Sequence, residues 1–487
     1  MNLRRSLLVS LLSRYVLLIV NLLVSVVVAR LLTPAEMGAF SLCMVLLSFA
    51  AIFRDFGAST YLMQVPELNA QRLRATMGLQ LLIGAALALG VALASTPLAA
   101  FYREPGLREL MLWVALSYLV SPLGTVTQAL LQRNMRFDAI ASIQIGAGLA
   151  AAAVTVGLAW AGWGARSLAI GQLASVLASV LLSQRHRPEG LPWMPSLRGV
   201  REILHFGGAI TGIAIVNVAV KGAPELLLGK LQGLHSVGLF ARGQGMVVMF
   251  GRQMAEAVSA VALPNFSRMV REGGNLGEAF LRGTAYVTAV AWSICLGMAV
   301  LADPLIRVLY GAQWLEAIPL VRWVAASYGA GLSVMLASAA LTGMGAVRAL
   351  GWATLVSGVL TIAAVAIGAL FSLEAVGMGL FVAGVAHTGI FFALVRWRLG
   401  FAASRLAATL ARSGAVAVCA ALPALAVVLA PKPAMGGAFI ELLAGGLLGA
   451  LGFVAGVLWA RHPLRQEFSL VLGKLGRWRP RSGPPAK

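Results

Sequence analysis

Along this chain the apolar positions do not alternate as in strands or form the narrow stripes of soluble helices; they fill unbroken runs of about 17–25 residues. Fourteen such runs lie at 6–32, 37–60, 76–101, 107–131, 139–163, 165–183, 203–228, 237–263, 280–302, 318–342, 349–371, 374–396, 408–430 and 436–460. Each is long enough to cross a hydrocarbon core of about 30 Å as a helix. The pattern therefore predicts an all-α polytopic membrane protein with about 14 transmembrane helices. Polar residues gather in the links between runs. The longest link, near 183–202, is basic, rich in Pro and too short for a soluble domain, so no enzymatic head group is expected and the chain is not read as an enzyme.

Landmarks recur within the runs. Trp113-Val114-Ala115-Leu116-Ser117-Tyr118 returns as Trp323-Val324-Ala325-Ala326-Ser327-Tyr328, 210 positions later. Leu31, Gly38 and Phe40 return as Leu231, Gly238 and Phe240, and Pro97 with Phe101-Tyr102 is echoed by Pro304 with Leu309-Tyr310. Three matches in the same order indicate a duplication. The expected organisation is a six-helix lobe over 1–200, a parallel repeat of it over 201–400, and two extra helices with a basic tail over 401–487. Repeated bundles of membrane helices are how secondary transporters build a site between two pseudo-symmetric halves.

Composition strengthens the membrane reading: 60% of the 487 residues are hydrophobic, 11% are charged and mean hydropathy is +0.88, more apolar surface than a soluble fold can hide. Arg4-Arg5 precede the first run, but that run exceeds the h-region of a signal peptide, so it is read as a retained helix. Cys43, Cys295 and Cys419 are far apart within predicted spans and suggest neither a disulfide framework nor a zinc site. The net charge of +21 could suggest nucleic acid, but its distribution argues against that partner. With the amino terminus inside, most Lys and Arg fall in cytoplasmic links, and the basic stretch from Arg461 to Lys487 is cytoplasmic too, as the positive-inside rule requires. Both termini are expected in the cytoplasm, with membrane lipids as partners.

Charges inside a bilayer are costly and mark candidate sites. Arg14 and Asn21 lie two turns apart on one face of the first span; Arg54-Asp55 closes the second. Lys221 and Glu225 are four apart around Pro224 in the seventh, a spacing that allows an ion pair beside a kink. The eighth span carries Arg242 and a second four-apart pair, Arg252 and Glu256. Cations outnumber anions in this set, which implies an anionic ligand, because guanidinium binds phosphate oxygens bidentately. Arg14, Asn21, Arg54, Lys221, Arg242 and Arg252 are the expected substrate-binding residues. Asp55, Glu225 and Glu256 are the candidates for H+ or Na+ coupling, and no other cofactor and no metal is expected. No phosphate-binding glycine loop of the P-loop type is present, so nucleotide hydrolysis is not encoded.

Several segments resemble polysaccharide exporters. Ala29-Arg30-Leu31-Leu32-Thr33-Pro34-Ala35-Glu36-Met37-Gly38-Ala39-Phe40 is similar to their "ARLLTPEEFG", Asp55-Phe56-Gly57-Ala58-Ser59 to "DFGLS", Gln128 through Phe137 to "QALLRRELRF", and Pro264-Asn265-Phe266-Ser267-Arg268 to "PAFSRL". These motifs occupy about the first 270 residues, in order; the last third matches only in hydropathy. The chain thus resembles the Wzx-type oligosaccharide flippases of the multidrug/oligosaccharidyl-lipid/polysaccharide exporter superfamily. The resemblance implies a twelve-helix, two-lobed core with extra carboxy-terminal helices. It further implies an undecaprenyl-diphosphate-linked oligosaccharide moved across the bacterial inner membrane for lipopolysaccharide or exopolysaccharide assembly, and a polysaccharide polymerase complex as partner. Related lipid II flippases use arginines on their first, second and eighth helices, where Arg14, Arg54 and Arg252 stand here. The family's arginine after "LYS" is displaced, since Leu239-Phe240-Ala241 is followed at once by Arg242. Alternating access is the expected mechanism. The rival readings are a drug or cation antiporter of the same superfamily, which should have an acidic cavity, a membrane glycosyltransferase, which would need a large loop, and a non-transporting scaffold of the assembly complex.

Overall fold

The computed structural model describes the backbone of residues 3–55, 61–63, 65, 67–188, 191–192, 194–197, 200–430 and 437–467, with side chains for all of these except 3–14, 55, 201–214 and 216. Among the described residues there is no strand. The helices are α1 Leu3–Leu31, α2 Pro34–Asp55, α3 Ala70–Tyr102, α4 Pro105–Val120, α5 Pro122–Arg133, α6 Phe137–Trp160, α7 Ala165–Arg185 and α8 Val200–Leu231. They continue as α9 Leu234–Glu272, α10 Leu276–Val300, α11 Ala302–Leu309, α12 Ile318–Leu332, α13 Met335–Gly343, α14 Val347–Ala369, α15 Leu373–Leu399, α16 Ala403–Leu429 and α17 Gly437–Trp459. Eleven helical stretches among the described residues are long and apolar enough to cross a membrane, or twelve if the bent pair α4 and α5 is one span. The other two expected runs coincide with α1 and α8, whose side chains are described only in part.

Local chemistry sets the helix starts. Thr33 N and Oγ1 both donate to Glu36 Oε2 at 2.8 Å, and Glu36 N donates back to Thr33 Oγ1, so the Thr-Pro-Ala-Glu stretch is a capping box with Pro34 in the first turn of α2. Asn69 accepts from Arg72 N at the start of α3, and Ser372 from Ala375 N at the start of α15.

The described chain divides into two compact units, Met1–Ala241 and Arg242–Lys487. In the first, α6 packs along α7 and α1, α4 against α3 and α7, and α2 on α8. At one close crossing two glycines meet. A Cβ on Gly38 would lie 1.8 Å from the carbonyl oxygen of Leu234, and one on Gly238 would lie 1.8 Å from that of Pro34. The first turns of α2 and α9 therefore touch backbone to backbone. In the second unit α10 packs on α12 and α16, α15 on α12 and α14, and α17 on α16. Phe280 anchors one part of its core, stacked on Phe401 at 5.8 Å between ring centroids and edge-on to Phe392.

Two of the expected single spans are interrupted, each shortly after a copy of the Trp-Val-Ala segment, the first by a sharp bend and the second by a short non-helical step. The run 107–131 bends by 53° between α4 and α5. Pro122 there has no N–H to donate and its ring crowds the preceding turn, which ends the first helix. The run 318–342 is interrupted at Ser333–Val334 with no proline present. Instead Trp292 Nε1 donates to Gly329 O and to Ser333 Oγ, both at 2.9 Å, and Thr388 Oγ1 donates to Ala330 O at 2.8 Å. Side chains from neighbouring helices thus take the carbonyls that the broken ladder releases.

Candidate functional site

In the first unit the expected ligands fall on three helices. Asn21 is exposed on α1 and Arg54 is exposed at the end of α2. The side chains of Arg14 and Asp55 lie outside the described residues, as does the stretch Phe56–Ser59. On α8 the four-apart spacing of Lys221 and Glu225 does not produce an ion pair. Lys221 is exposed, while Glu225 is 9% exposed and its Oε2 has no hydrogen-bond partner among the described residues. The reason is the helix face. Gly222 and Gly229 abut Val45 and Leu42 of α2, and Glu225 shares their side of α8 at i, i+3 and i+7. The carboxylate is drawn into that packed face, and the flexible Lys221 stem turns outward instead of following it. Pro224 does not interrupt α8, which runs through it.

In the second unit Arg252 and Glu256 do pair, Nε to Oε1 at 3.4 Å, with their side chains 73% and 41% exposed. At that exposure the pair contributes less than about 1 kcal/mol to stability, so it orients charge more than it holds the fold. Arg242 is turned elsewhere. Its guanidinium carbon lies 5.6 Å from the ring centroid of Tyr310, which is buried just after α11, a cation–π contact that gives Arg242 a packing partner. The three cysteines are free, Cys43 and Cys295 buried.

The quoted motifs acquire structural explanations. Gln128 on α5 donates to Ser179 and Ser183 Oγ on α7, at 2.9 and 3.1 Å. Arg133 Nη1 donates to the carbonyls of Leu62 and Val65, at 2.7 and 2.6 Å, tying the chain after α2 to the end of α5. Tyr118 in the repeated Trp-Val-Ala segment donates to Leu47 O of α2 at 2.9 Å, and its counterpart Tyr328 packs its ring on Gly251 of α9.

One feature of the second unit escaped the sequence reading. Arg282 of α10, Arg405 and Arg412 of α16, and Arg461 and Arg465 beyond α17 line a cavity of about 840 Å³. The arginines are dispersed along the chain and fall at span ends and links, where basic residues are ordinary, so only the fold gathers them.

The fit to a family is decisive. The polysaccharide biosynthesis protein family matches residues 27–319, more than half of the chain. The chain belongs to that family. It is 27% identical to the succinoglycan biosynthesis transport protein ExoT of Rhizobium meliloti over 71% of this chain and 70% of that one. It is 24% identical to the lipopolysaccharide biosynthesis protein WzxC of Escherichia coli over 61% of each chain. Its fold is that of the lipid II flippase MurJ in an inward closed conformation, with a TM-score of 0.76, 13% identity and coverage of 93% of this chain and 99% of that one. An inward-facing multidrug transporter of the MATE family shares the fold too, at a TM-score of 0.63 and 15% identity over 78% of this chain and 94% of that one. This member of the polysaccharide biosynthesis family is therefore a multi-pass, all-helical membrane protein of transporter fold.

Proposed function

We propose that the protein flips a polyprenyl-diphosphate-linked oligosaccharide, with undecaprenyl as the carrier, from the cytoplasmic to the periplasmic leaflet of the bacterial inner membrane. The family match over residues 27–319 carries this reading. Relatives named for succinoglycan transport and lipopolysaccharide biosynthesis support it, as does a fold held in common with a lipid II flippase. The glycan serves lipopolysaccharide or exopolysaccharide assembly, a polymerase complex receives it, and both termini face the cytoplasm. Lobes 1–200 and 201–400 alternate access. The diphosphate is neutralised by Arg14, Arg54, Lys221 and Arg252, with Asn21 as a neutral donor and Arg242 contributing charge from its place beside Tyr310. The polyprenyl tail stays in lipid throughout.

Among the three carboxylates, Glu225 is the strongest candidate for proton or sodium coupling. It is buried, with one oxygen unpartnered among the described residues, whereas Glu256 already has Arg252. The antiporter reading shares the fold, and fold alone does not choose a substrate. The excess of cations over carboxylates among the candidate residues favours an anionic cargo.

The test is complementation. Arg14→Ala, Arg54→Ala and Arg252→Ala, each verified in the membrane, are introduced into a strain lacking this protein. The expected outcome is loss of surface glycan with lipid-linked precursor accumulating on the cytoplasmic leaflet. Full restoration of glycan by all three variants would overturn the cationic site and favour the scaffold reading.

A further inference from the structure

The five-arginine cavity of the second unit is built from three directions. The starts of α10 and α16 provide Arg282, Arg405 and Arg412, and the chain leaving α17 turns back across them with Arg461 and Arg465. That return is pinned. Arg461 takes a left-handed backbone, with φ of 48°, and the next residue, His462, is 1% exposed. His462 Nδ1 accepts from Leu464 N at 3.3 Å, so its Nε2 carries the proton and faces Ser413 Oγ at 3.3 Å; Ser413 in turn accepts from Thr288 of α10 at 2.8 Å. Tyr286 of α10 also donates to Glu467 at 3.2 Å. The two arginines beyond α17 are therefore held over the cavity by a buried polar chain.

The cavity's charge is unbalanced. Glu278 is the one carboxylate in its wall, and it is already taken by Arg405 in an ion pair. Among the described residues no carboxylate pairs with Arg282, Arg412, Arg461 or Arg465. All four are exposed around the cavity, where water screens their mutual repulsion only in part, and an anion entering the space meets all four. Guanidinium is suited to phosphate, which it meets with two parallel hydrogen bonds.

A second observation concerns what is attached to that anion. Glu278 and Arg282 also border a neighbouring cavity of about 700 Å³ whose other walls include Val258, Val261, Phe266, Val287 and Leu336. A basic space for a headgroup thus adjoins an apolar space for a hydrocarbon chain. In the expected topology the start of α10, the start of α16 and the end of α17 all lie on the cytoplasmic side, where anionic lipids meet basic recesses between helices.

We propose that this pair of cavities binds an anionic membrane phospholipid, its phosphate among Arg282, Arg412, Arg461 and Arg465 and an acyl chain along the apolar cavity. The inference does not depend on the flippase reading, and its test is independent of transport. Full-length protein purified in a neutral detergent is titrated with phosphatidylglycerol, with phosphatidylcholine of the same acyl chains, with farnesyl diphosphate and with inorganic phosphate, and the thermal unfolding midpoint is followed. Phosphatidylglycerol is expected to raise the midpoint saturably, whereas the other three leave it unchanged. In Arg412→Gln/Arg465→Gln the half-saturating concentration of phosphatidylglycerol is expected to rise about ten-fold or more. Arg465→Gln alone, on the exposed return segment, serves if the double variant fails to fold, with a smaller rise in the same direction. Three results would overturn the proposal: an unchanged phosphatidylglycerol response in the variants, an equal response to phosphatidylcholine, or a shift reproduced by phosphate or farnesyl diphosphate. The last would make this a small-anion or prenyl diphosphate site.

Discussion

The contact between Gly38 and Gly238 makes a sharp prediction about stability. In an ordinary helix interior Gly→Ala stabilises by roughly 1 kcal/mol, because alanine is the better helix former. At these two positions the sign should reverse. The added methyl at Gly38 would lie 1.8 Å from Leu234 O and 2.8 Å from Gly238 N, against an ordinary contact of 3.4 Å or more, and the methyl at Gly238 would meet Pro34 O equally closely. The obstructing atoms are backbone carbonyls, which cannot rotate aside as a side chain can. The starts of α2 and α9 would have to separate by roughly 1.6 Å, more than the shifts that cost about 1–3 kcal/mol in overpacked cores. Each single variant should therefore lose about 3 kcal/mol, or roughly 6–12 °C in unfolding midpoint for a cooperative unit of about 200 residues. Because one separation accommodates both methyl groups, Gly38→Ala/Gly238→Ala should lose clearly less than the sum of the two. Thermal unfolding of the three purified variants measures this. A single variant melting with the wild type, or strictly additive losses, would refute the backbone-to-backbone contact.

Two further outcomes follow from single side chains. Burial, with Arg412 nearby, holds the His462 imidazole below its ordinary value of 6.5, so the native state keeps it neutral while the unfolded chain takes up a proton as pH falls. Its contribution is complete above about pH 6.5 and is lost below it, so the unfolding midpoint should fall between pH 7.5 and pH 5, and by less in His462→Gln; an equal fall in both would exclude this role. Arg133→Ala should cost about 1–3 kcal/mol by stranding the carbonyls of Leu62 and Val65, and Arg133→Lys should recover only part, lacking the planar fork; full recovery by lysine would show that charge alone suffices.

The helices were legible because the bilayer fixes their length and leaves backbone groups no partner outside the helix, so apolar runs translate directly into elements. The site was legible only where spacing and environment agree. Arg252 and Glu256 pair as their four-residue spacing suggests, on an exposed face where both can reach. Lys221 and Glu225 have the same spacing and do not, because Gly222 and Gly229 bring α2 close to the face that holds Glu225. Arg242 reads in sequence as a cation with no acidic neighbour, and Tyr310, against which it packs, comes only after α10 and α11 in the chain. The five-arginine cavity was illegible for a similar reason: each arginine alone is an ordinary span-end residue, and the cation excess exists only once α10, α16 and the return of α17 converge.

The helix interruptions that follow the two Trp-Val-Ala segments arise in different ways. Both fall just after the repeated Trp-Val-Ala segment, at Ser121–Pro122 and at Ser333–Val334. After the first, the bend comes from within the helix at Pro122, whereas after the second the helix only steps at Ser333–Val334, where Trp292 and Thr388 hydrogen-bond to the carbonyls of Gly329 and Ala330. Different residues thus interrupt the helix after each copy of the segment, so a match of residues alone would miss one of the two interruptions. The tyrosines of the two segments differ likewise: Tyr118 reaches α2 by a hydrogen bond and Tyr328 reaches α9 by packing on a glycine. A bilayer fold specified this way can keep its path while most side chains change, which is the physical sense of a TM-score of 0.76 at 13% identity to MurJ.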